Sequence, residues 1–133
     1  MGDVIEHLPD PGAALDRIGE WLAPGGVLAL ALPDAGSRVA RLMGARWWSV
    51  IPTHVHYFTR HSMATLLARH GYGLLEGSTA PKAFSVDYYL ERTRGYSGAL
   101  AGALTATARA TGTAERIWAP DFRDRMLVLA RRD

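Results

Sequence analysis

Six consecutive apolar residues, Val27-Leu28-Ala29-Leu30-Ala31-Leu32, stand between Pro24-Gly25-Gly26 and Pro33-Asp34. Apolar side chains at every position, rather than at every second one, fit a strand of a parallel sheet that is covered on both faces. The proline and glycine flanks punctuate it sharply at both ends. A parallel strand needs crossover helices, and the sequence around this one supplies them. Asp10-Pro11 is a helix start with Asp10 as N-cap and Pro11 as first helical residue. From there Ala14, Leu15, Ile18, Trp21 and Leu22 recur at three- and four-residue intervals and predict one buried stripe.

Downstream the alternation continues. A short helix is expected over Ser37 to Met43, followed by an aromatic loop from Trp47-Trp48 to Phe58 that carries His54 and His56. Thr59 can cap a helix in which Met63, Leu66 and Leu67 face inward, and Gly71 can end it in the left-handed conformation. A strand over residues 73 to 79 should follow. Residues 84 to 118 read as mostly helical but are interrupted by Gly95, Gly98, Gly102 and Gly112, and Arg125 to Ala130 reads as a final strand. Strands alternating with helices predict an α/β sheet in one unit. At the other end, Gly2 to Ile5 is a short extended piece ending in Glu6-His7, with no partner strand before it.

Composition narrows the class. With 133 residues, 48% hydrophobic and 21% charged, the chain is expected to form one globular domain. No apolar run approaches the ~20 residues of a membrane span, and a cytoplasmic location is expected. The absence of cysteine excludes disulfides, thiolate nucleophiles and sulfur-bound zinc, so any metal must be held by oxygen and imidazole. Residues 1 to 37 carry six acids against Arg17, whereas residues 38 to 133 carry fourteen bases against seven acids. These arginines are scattered and form no dense run, which reads as solvated faces rather than a nucleic-acid interface.

The strings Asp3-Val-Ile-Glu-His-Leu-Pro-Asp-Pro11, Leu22-Ala-Pro-Gly-Gly26, Trp47-Trp48, His54-Val-His-Tyr-Phe-Thr59 and His70-Gly-Tyr72 occur here in order. Together they resemble class I S-adenosylmethionine-dependent methyltransferases, and within these the group that includes ubiquinone-pathway O-methyltransferases and many sugar and natural-product methyltransferases. The resemblance covers roughly residues 2 to 80 and the last strand. It implies a partial Rossmann-like sheet of strands in the order four, five, seven, six, with helices on both faces and an antiparallel last strand. Residues 84–118 would be a helical insertion that covers the substrate, with Tyr88, Tyr89, Tyr96, Arg92 and Arg94 in it. It further implies S-adenosylmethionine as cofactor and a small-molecule O, N or C nucleophile as methyl acceptor. The glycine-rich turn and the acidic residue that hold most of that cofactor in such enzymes are absent. The chain would then be a C-terminal part, weak or inactive alone, paired with a complementing N-terminal half or with itself as a homodimer. Asp3, Val4 and Glu6 would lie nearest the cofactor.

Methyl transfer from a sulfonium needs alignment of the nucleophile, exclusion of water and removal of a proton. Histidine suits proton removal near neutrality, so His54, His56 and His7 are the candidate bases. His54 and His56 are two apart and in an extended loop should point to opposite sides. Each could instead cap a backbone group or stack on an aromatic neighbour. His61 and His70, on a helix and at its end, read as solvent-facing or capping. Trp47-Trp48 could wall a substrate pocket or pack beneath the loop.

The same residues admit a metal reading. Asp3-x-x-Glu6-His7 sets two carboxylates and an imidazole at a strand's end, and His54 could complete an oxygen and nitrogen shell for magnesium or manganese. In the relatives that carry such a site the string is Glu-x-x-Glu-His, so Asp3 replaces a longer ligand. A rival from another class is a non-catalytic interaction domain, a split or decayed methyltransferase whose exposed sheet edge pairs with another protein.

Overall fold

The computed structural model describes residues 1–133 and consists of two compact bodies, Met1–Ala80 with Asp121–Asp133, and Pro81–Pro120. The first body holds a three-stranded sheet of β1 (Val27–Pro33), β2 (Tyr72–Thr79) and β5 (Arg125–Arg132), in the order β1-β5-β2. Helices α1 (Pro11–Trp21), α2 (Arg38–Met43) and α3 (Arg60–Arg69) belong to the same body. β5 runs antiparallel to both neighbours, with Leu30 opposite Val128 on one side and Thr79 opposite Met126 on the other. β1 and β2 are therefore parallel to each other, and the chain-terminal strand slots between them. This is the five-seven-six order expected from the sequence.

The strand numbered four in that expectation is much reduced. Gly2 makes an isolated parallel bridge to Ala31, supported by Asp3 N–H to the Ala31 carbonyl at 2.8 Å and Ala31 N–H to the Met1 carbonyl at 2.9 Å. Asp3 then adopts φ 51°, a left-handed conformation that ends the extended run. Residues Ile5–His7 coil into a single 3-10 turn, which carries Ile5 and Glu6 into the interior.

α1 begins as its sequence dictates: the Asp10 carboxylate accepts the Ala13 N–H at 2.9 Å and Pro11 occupies the first turn. Its buried stripe runs through Gly12 and Leu15, with Ile18 and Leu22 packed beside the core. Trp21 departs from the expectation, being 73% exposed with the Arg17 guanidinium 5.6 Å from its ring centre. Six residues beyond Leu15, at about 100° per residue, it falls off the stripe. α3 opens with a reciprocal capping box: the Thr59 hydroxyl accepts the Ser62 N–H and the Ser62 hydroxyl accepts the Thr59 N–H. At its far end Gly71 takes φ 75°, a conformation that lacks a penalty only for glycine. The His70 ring there meets the Asp16 carboxylate of α1 at 2.6 Å.

One face of the sheet carries the core. Leu28, Leu30, Leu32, Met126, Val128 and Ala130 close on Leu15 from α1, Met63 and Leu67 from α3, and Ile5, Phe58 and Tyr72. Each large apolar side chain fully buried in this way contributes about 1.5–3 kcal/mol. The opposite face is bare in part, with Val27 52% exposed and Ala29 also exposed. The two-sided cover expected for β1 is thus not met: its burial alternates along the strand although its sequence does not.

In the second body β3 (Phe84–Ser85) pairs antiparallel with β4 (Ile117–Trp118), and α4 (Val86–Thr93) packs on α5 (Gly98–Ala110). Phe84 stacks on Tyr88 at 4.0 Å, Tyr89 meets Trp118 edge-on at 5.5 Å, and Arg109 pairs with Asp87 at 2.9 Å. Gly102, expected to interrupt a helix, lies inside α5. No helix in the chain is long and apolar enough to cross a membrane.

Candidate functional site

The 3-10 turn Ile5–His7 and the loop that enters α3 are stitched together by backbone. The Glu6 carbonyl accepts from Val55 N–H at 3.0 Å and from His56 N–H at 3.1 Å. This lays the loop histidines against the acid-histidine pair that follows the Gly2 bridge. Ligands of open α/β sheets gather at the carboxyl ends of the strands, and the pair occupies such a position relative to that bridge.

Three side chains meet there. One ligating atom each from Glu6, His7 and His54 lie within 4.8 Å of one another. The His7 and His54 rings stand edge to face, 4.6 Å between centres. Each ring is oriented by a backbone carbonyl: His7 Nδ1 lies 2.7 Å from the Thr53 oxygen and His54 Nδ1 lies 2.7 Å from the Ser49 oxygen. Only a protonated nitrogen can donate to a carbonyl, so in the neutral rings Nδ1 carries the hydrogen and Nε2 is left with its lone pair. Glu6 is 2% exposed, and neither of its carboxylate oxygens has a hydrogen-bond partner. A buried carboxylate without a partner is costly. The cluster therefore offers a buried carboxylate and two imidazole nitrogens as donors suited to a cation or a proton-bearing ligand group.

The other expected residues fall elsewhere. Asp3 is not in the cluster: its Oδ1 takes the Arg125 guanidinium at 2.6 Å. Val4 is exposed on the approach to the 3-10 turn. His56 lies outside the cluster and stacks on Phe58 at 5.6 Å, with its Nε2 buried and unpartnered. Trp47 is buried and donates Nε1–H to Asp124 at 3.1 Å, so it packs beneath the loop, while Trp48 sits half-buried beside Phe122.

Sequence reasoning missed the polar frame around these groups. Asp34, buried at the end of β1, accepts from Gly36 N–H at 2.9 Å and from Arg60 Nε–H at 3.1 Å. Arg60 also reaches the Gly77 and Ser78 carbonyls at the end of β2. Arg125 opens β5 and bridges Asp3 to the Ala80 carbonyl. The only hint in the sequence was position, since acids and arginines stand immediately at the strand ends.

Comparison with known proteins identifies the family and the fold. A family model described as a methyltransferase domain matches residues 1–76. No curated protein matches the chain by sequence. Among solved structures, an S-adenosylmethionine-dependent methyltransferase of Thermotoga maritima, assigned as a possible histamine N-methyltransferase, superposes over 100% of this chain and 54% of its own length, with TM-score 0.55 and 16% identity. A Bacillus halodurans protein assigned as a methyltransferase superposes over 98% of this chain and 66% of its own, with TM-score 0.54 and 17% identity. The [4+2]-cyclase SpnF shares the fold at TM-score 0.51 and 17% identity, over 98% of this chain and 47% of its own. The chain thus spans between about half and two thirds of these structures. At such identities they speak to fold alone. The family model covers more than half of the chain, and the chain belongs to the methyltransferase-domain family.

Proposed function

We propose that this chain forms the acceptor-side part of an S-adenosylmethionine-dependent methyltransferase that modifies an O, N or C nucleophile on a small molecule. The observation that carries the reading is the Glu6–His7–His54 cluster, set at a strand end in a chain of this family. Bound there, the sulfonium cofactor supplies the methyl group and a good leaving group. The chain's own residues position the acceptor and take its proton. His54 is the base: its bare Nε2 accepts the proton, and the Ser49 carbonyl held at Nδ1 stabilises the imidazolium that results. General-base assistance of this kind contributes a factor of about 10² to 10⁴. Asp3, Val4 and Glu6 are assigned to the cofactor's side of the site, and the remaining cofactor contacts to polypeptide outside residues 1–133. The isolated chain is accordingly expected to be weak or inactive, and to gain activity with a complementing half.

Glu6's orphaned oxygens favour a second reading of the same site, in which a divalent cation sits between Glu6, His7 and His54. The residues fit. Each histidine donates its far nitrogen to a carbonyl, the arrangement that fixes the tautomer and raises ligand basicity at metal centres. Two imidazoles and one carboxylate suit manganese or another imidazole-tolerant ion better than magnesium, which takes oxygen ligands almost exclusively. Such a cation would supply Lewis acidity toward an acceptor oxygen.

Calorimetric titration with S-adenosylhomocysteine, with and without manganese or magnesium, tests both readings. The expected result is saturable ion binding that is lost in His54→Ala or Glu6→Gln, with nucleoside binding weak in this chain alone and strengthened by a complementing half. Folded protein that binds neither nucleoside nor ion would favour the interaction-domain alternative, for which the bare sheet face at Val27 and Ala29 is the supporting observation.

A further inference from the structure

We infer that Arg125 sets the ion preference of the Glu6–His7–His54 cluster by holding the Asp3 carboxylate away from it. This rests on the metal reading above and deepens it. Glu6 lies within the 3-10 turn and Asp3 stands three residues before Glu6, at the end of the extended run that leads into the turn. Only Glu6 joins the two histidines. Asp3 instead gives Oδ1 to Arg125 at 2.6 Å, in a pair whose side chains are 29% and 15% exposed.

Both ends of that pair are anchored. The Asp3 backbone is pinned by its N–H bond to the Ala31 carbonyl at 2.8 Å and by its left-handed φ of 51°. Arg125 lies in the ladder opposite Pro33 and spends Nε on the Ala80 carbonyl at 3.3 Å. A charge-assisted contact of this length between half-sheltered groups is among the stronger polar interactions available. It leaves the cluster with one carboxylate and two imidazoles. A second carboxylate would add negative charge and a hard oxygen donor, shifting the donor set toward the all-oxygen shell that magnesium demands. The arginine comes from a strand remote in sequence from every candidate ligand, so the preference is decided by a residue that touches no ion.

The test is direct binding, followed by the electron paramagnetic resonance signal of free Mn²⁺ and by competition with Mg²⁺, on the full 133-residue chain. The original chain is expected to bind Mn²⁺, with Mg²⁺ unable to displace it at tenfold excess. Asp3→Asn should change Mn²⁺ affinity by less than about threefold, whereas Glu6→Gln should lower it by about tenfold or more, the range in which loss of a ligand or its support acts. Arg125→Met should raise Mg²⁺ affinity about tenfold, and adding Asp3→Asn should cancel the gain; Arg125→Lys, which keeps a cation for Asp3, should leave the preference unchanged. Loss of Mn²⁺ binding in Asp3→Asn equal to that in Glu6→Gln would overturn the inference while leaving the metal site standing, as would an Arg125→Met chain with no gain for Mg²⁺. Absence of Mn²⁺ binding to the folded original chain would remove the metal reading and this inference together. If Arg125→Met does not fold, the Asp3→Asn comparison still decides.

Discussion

Tyr72 shows how one side chain couples the sheet to a helix. It is fully buried, and its hydroxyl donates to the Leu15 carbonyl of α1 at 2.9 Å. Burial pushes the phenol above its ordinary value of 10.0, with the Arg132 guanidinium pulling the other way and Asp16 adding to the rise. Since the folded-state value is raised, the folded protein holds this proton more tightly than the unfolded chain does. The stability it contributes is complete below about pH 10 and is lost as pH climbs through the raised value. Replacing Tyr72 by Phe should cost about 1 kcal/mol at neutral pH through the lost hydrogen bond. The gap between the two proteins should then narrow above pH 10, because only the original pays for ionising the phenol. Urea denaturation at pH 7 and pH 10.5 measures this, and a gap that stays constant would contradict it. In the sequence Tyr72 was visible only as part of the His70-Gly-Tyr72 string. Its partner is a backbone carbonyl, which no residue pattern reveals. The histidines were legible as candidates, and of the loop pair His54 joins the cluster while His56 stacks on Phe58. That His7 joins His54, and that Asp3 is diverted to Arg125, depends on a 3-10 turn and a distant strand, and spacing encodes neither.

At the level of elements, punctuation was easier to read than burial. Asp10-Pro11, Thr59 and Gly71 act where their chemistry places them, because caps and left-handed ends are satisfied within a few residues of chain. The capping box of α3 gives this a measurable form. Thr59→Ala removes the acceptor for the Ser62 N–H, and should destabilise the protein by about 1 kcal/mol in chemical denaturation without changing the fold. A cost near zero would mean that the packing of Met63 and Leu67 alone fixes the start of the helix. Burial was less legible, since it depends on what else is present. β1 is apolar on both faces but covered on one, and Trp21, assigned to a stripe by its spacing, lies outside it. The fourth strand failed for a different reason: Gly2 to Ile5 is extended by composition, but the left-handed turn at Asp3 diverts it after one bridge.

Over the whole molecule, the uncovered sheet face and the division into two bodies carry separate consequences. A sheet face with Val27 and Ala29 open to water invites association. Sedimentation velocity should therefore show concentration-dependent self-association that Val27→Lys weakens, and a monomer at all concentrations would refute this. The division into bodies makes a sharper prediction, that residues Pro81–Pro120 can be removed while the sheet persists. β2 and β5 are antiparallel neighbours paired through Thr79 and Met126, so the chain leaves and re-enters the first body at one end of a hairpin. That end is tied within the first body: Thr79 donates its hydroxyl to Asp121 at 2.8 Å, and Ala80 N–H reaches the Arg125 carbonyl at 3.3 Å. None of the core residues Leu15, Leu30, Met63, Tyr72 or Val128 lies in the excised segment. Closing the gap with a short glycine-serine turn shortens the loop about tenfold, which lowers its closure entropy by about 2 kcal/mol. The shortened protein should retain the far-ultraviolet circular dichroism of an α/β sheet and a cooperative unfolding transition. It should also keep the environment of the Glu6–His7–His54 cluster, read from the histidine ring resonances, because every backbone bond that orients those rings lies before Thr59. If the transition loses its cooperativity, the second body is part of the folding unit; if it survives, residues 81–120 are dispensable for folding of the first body.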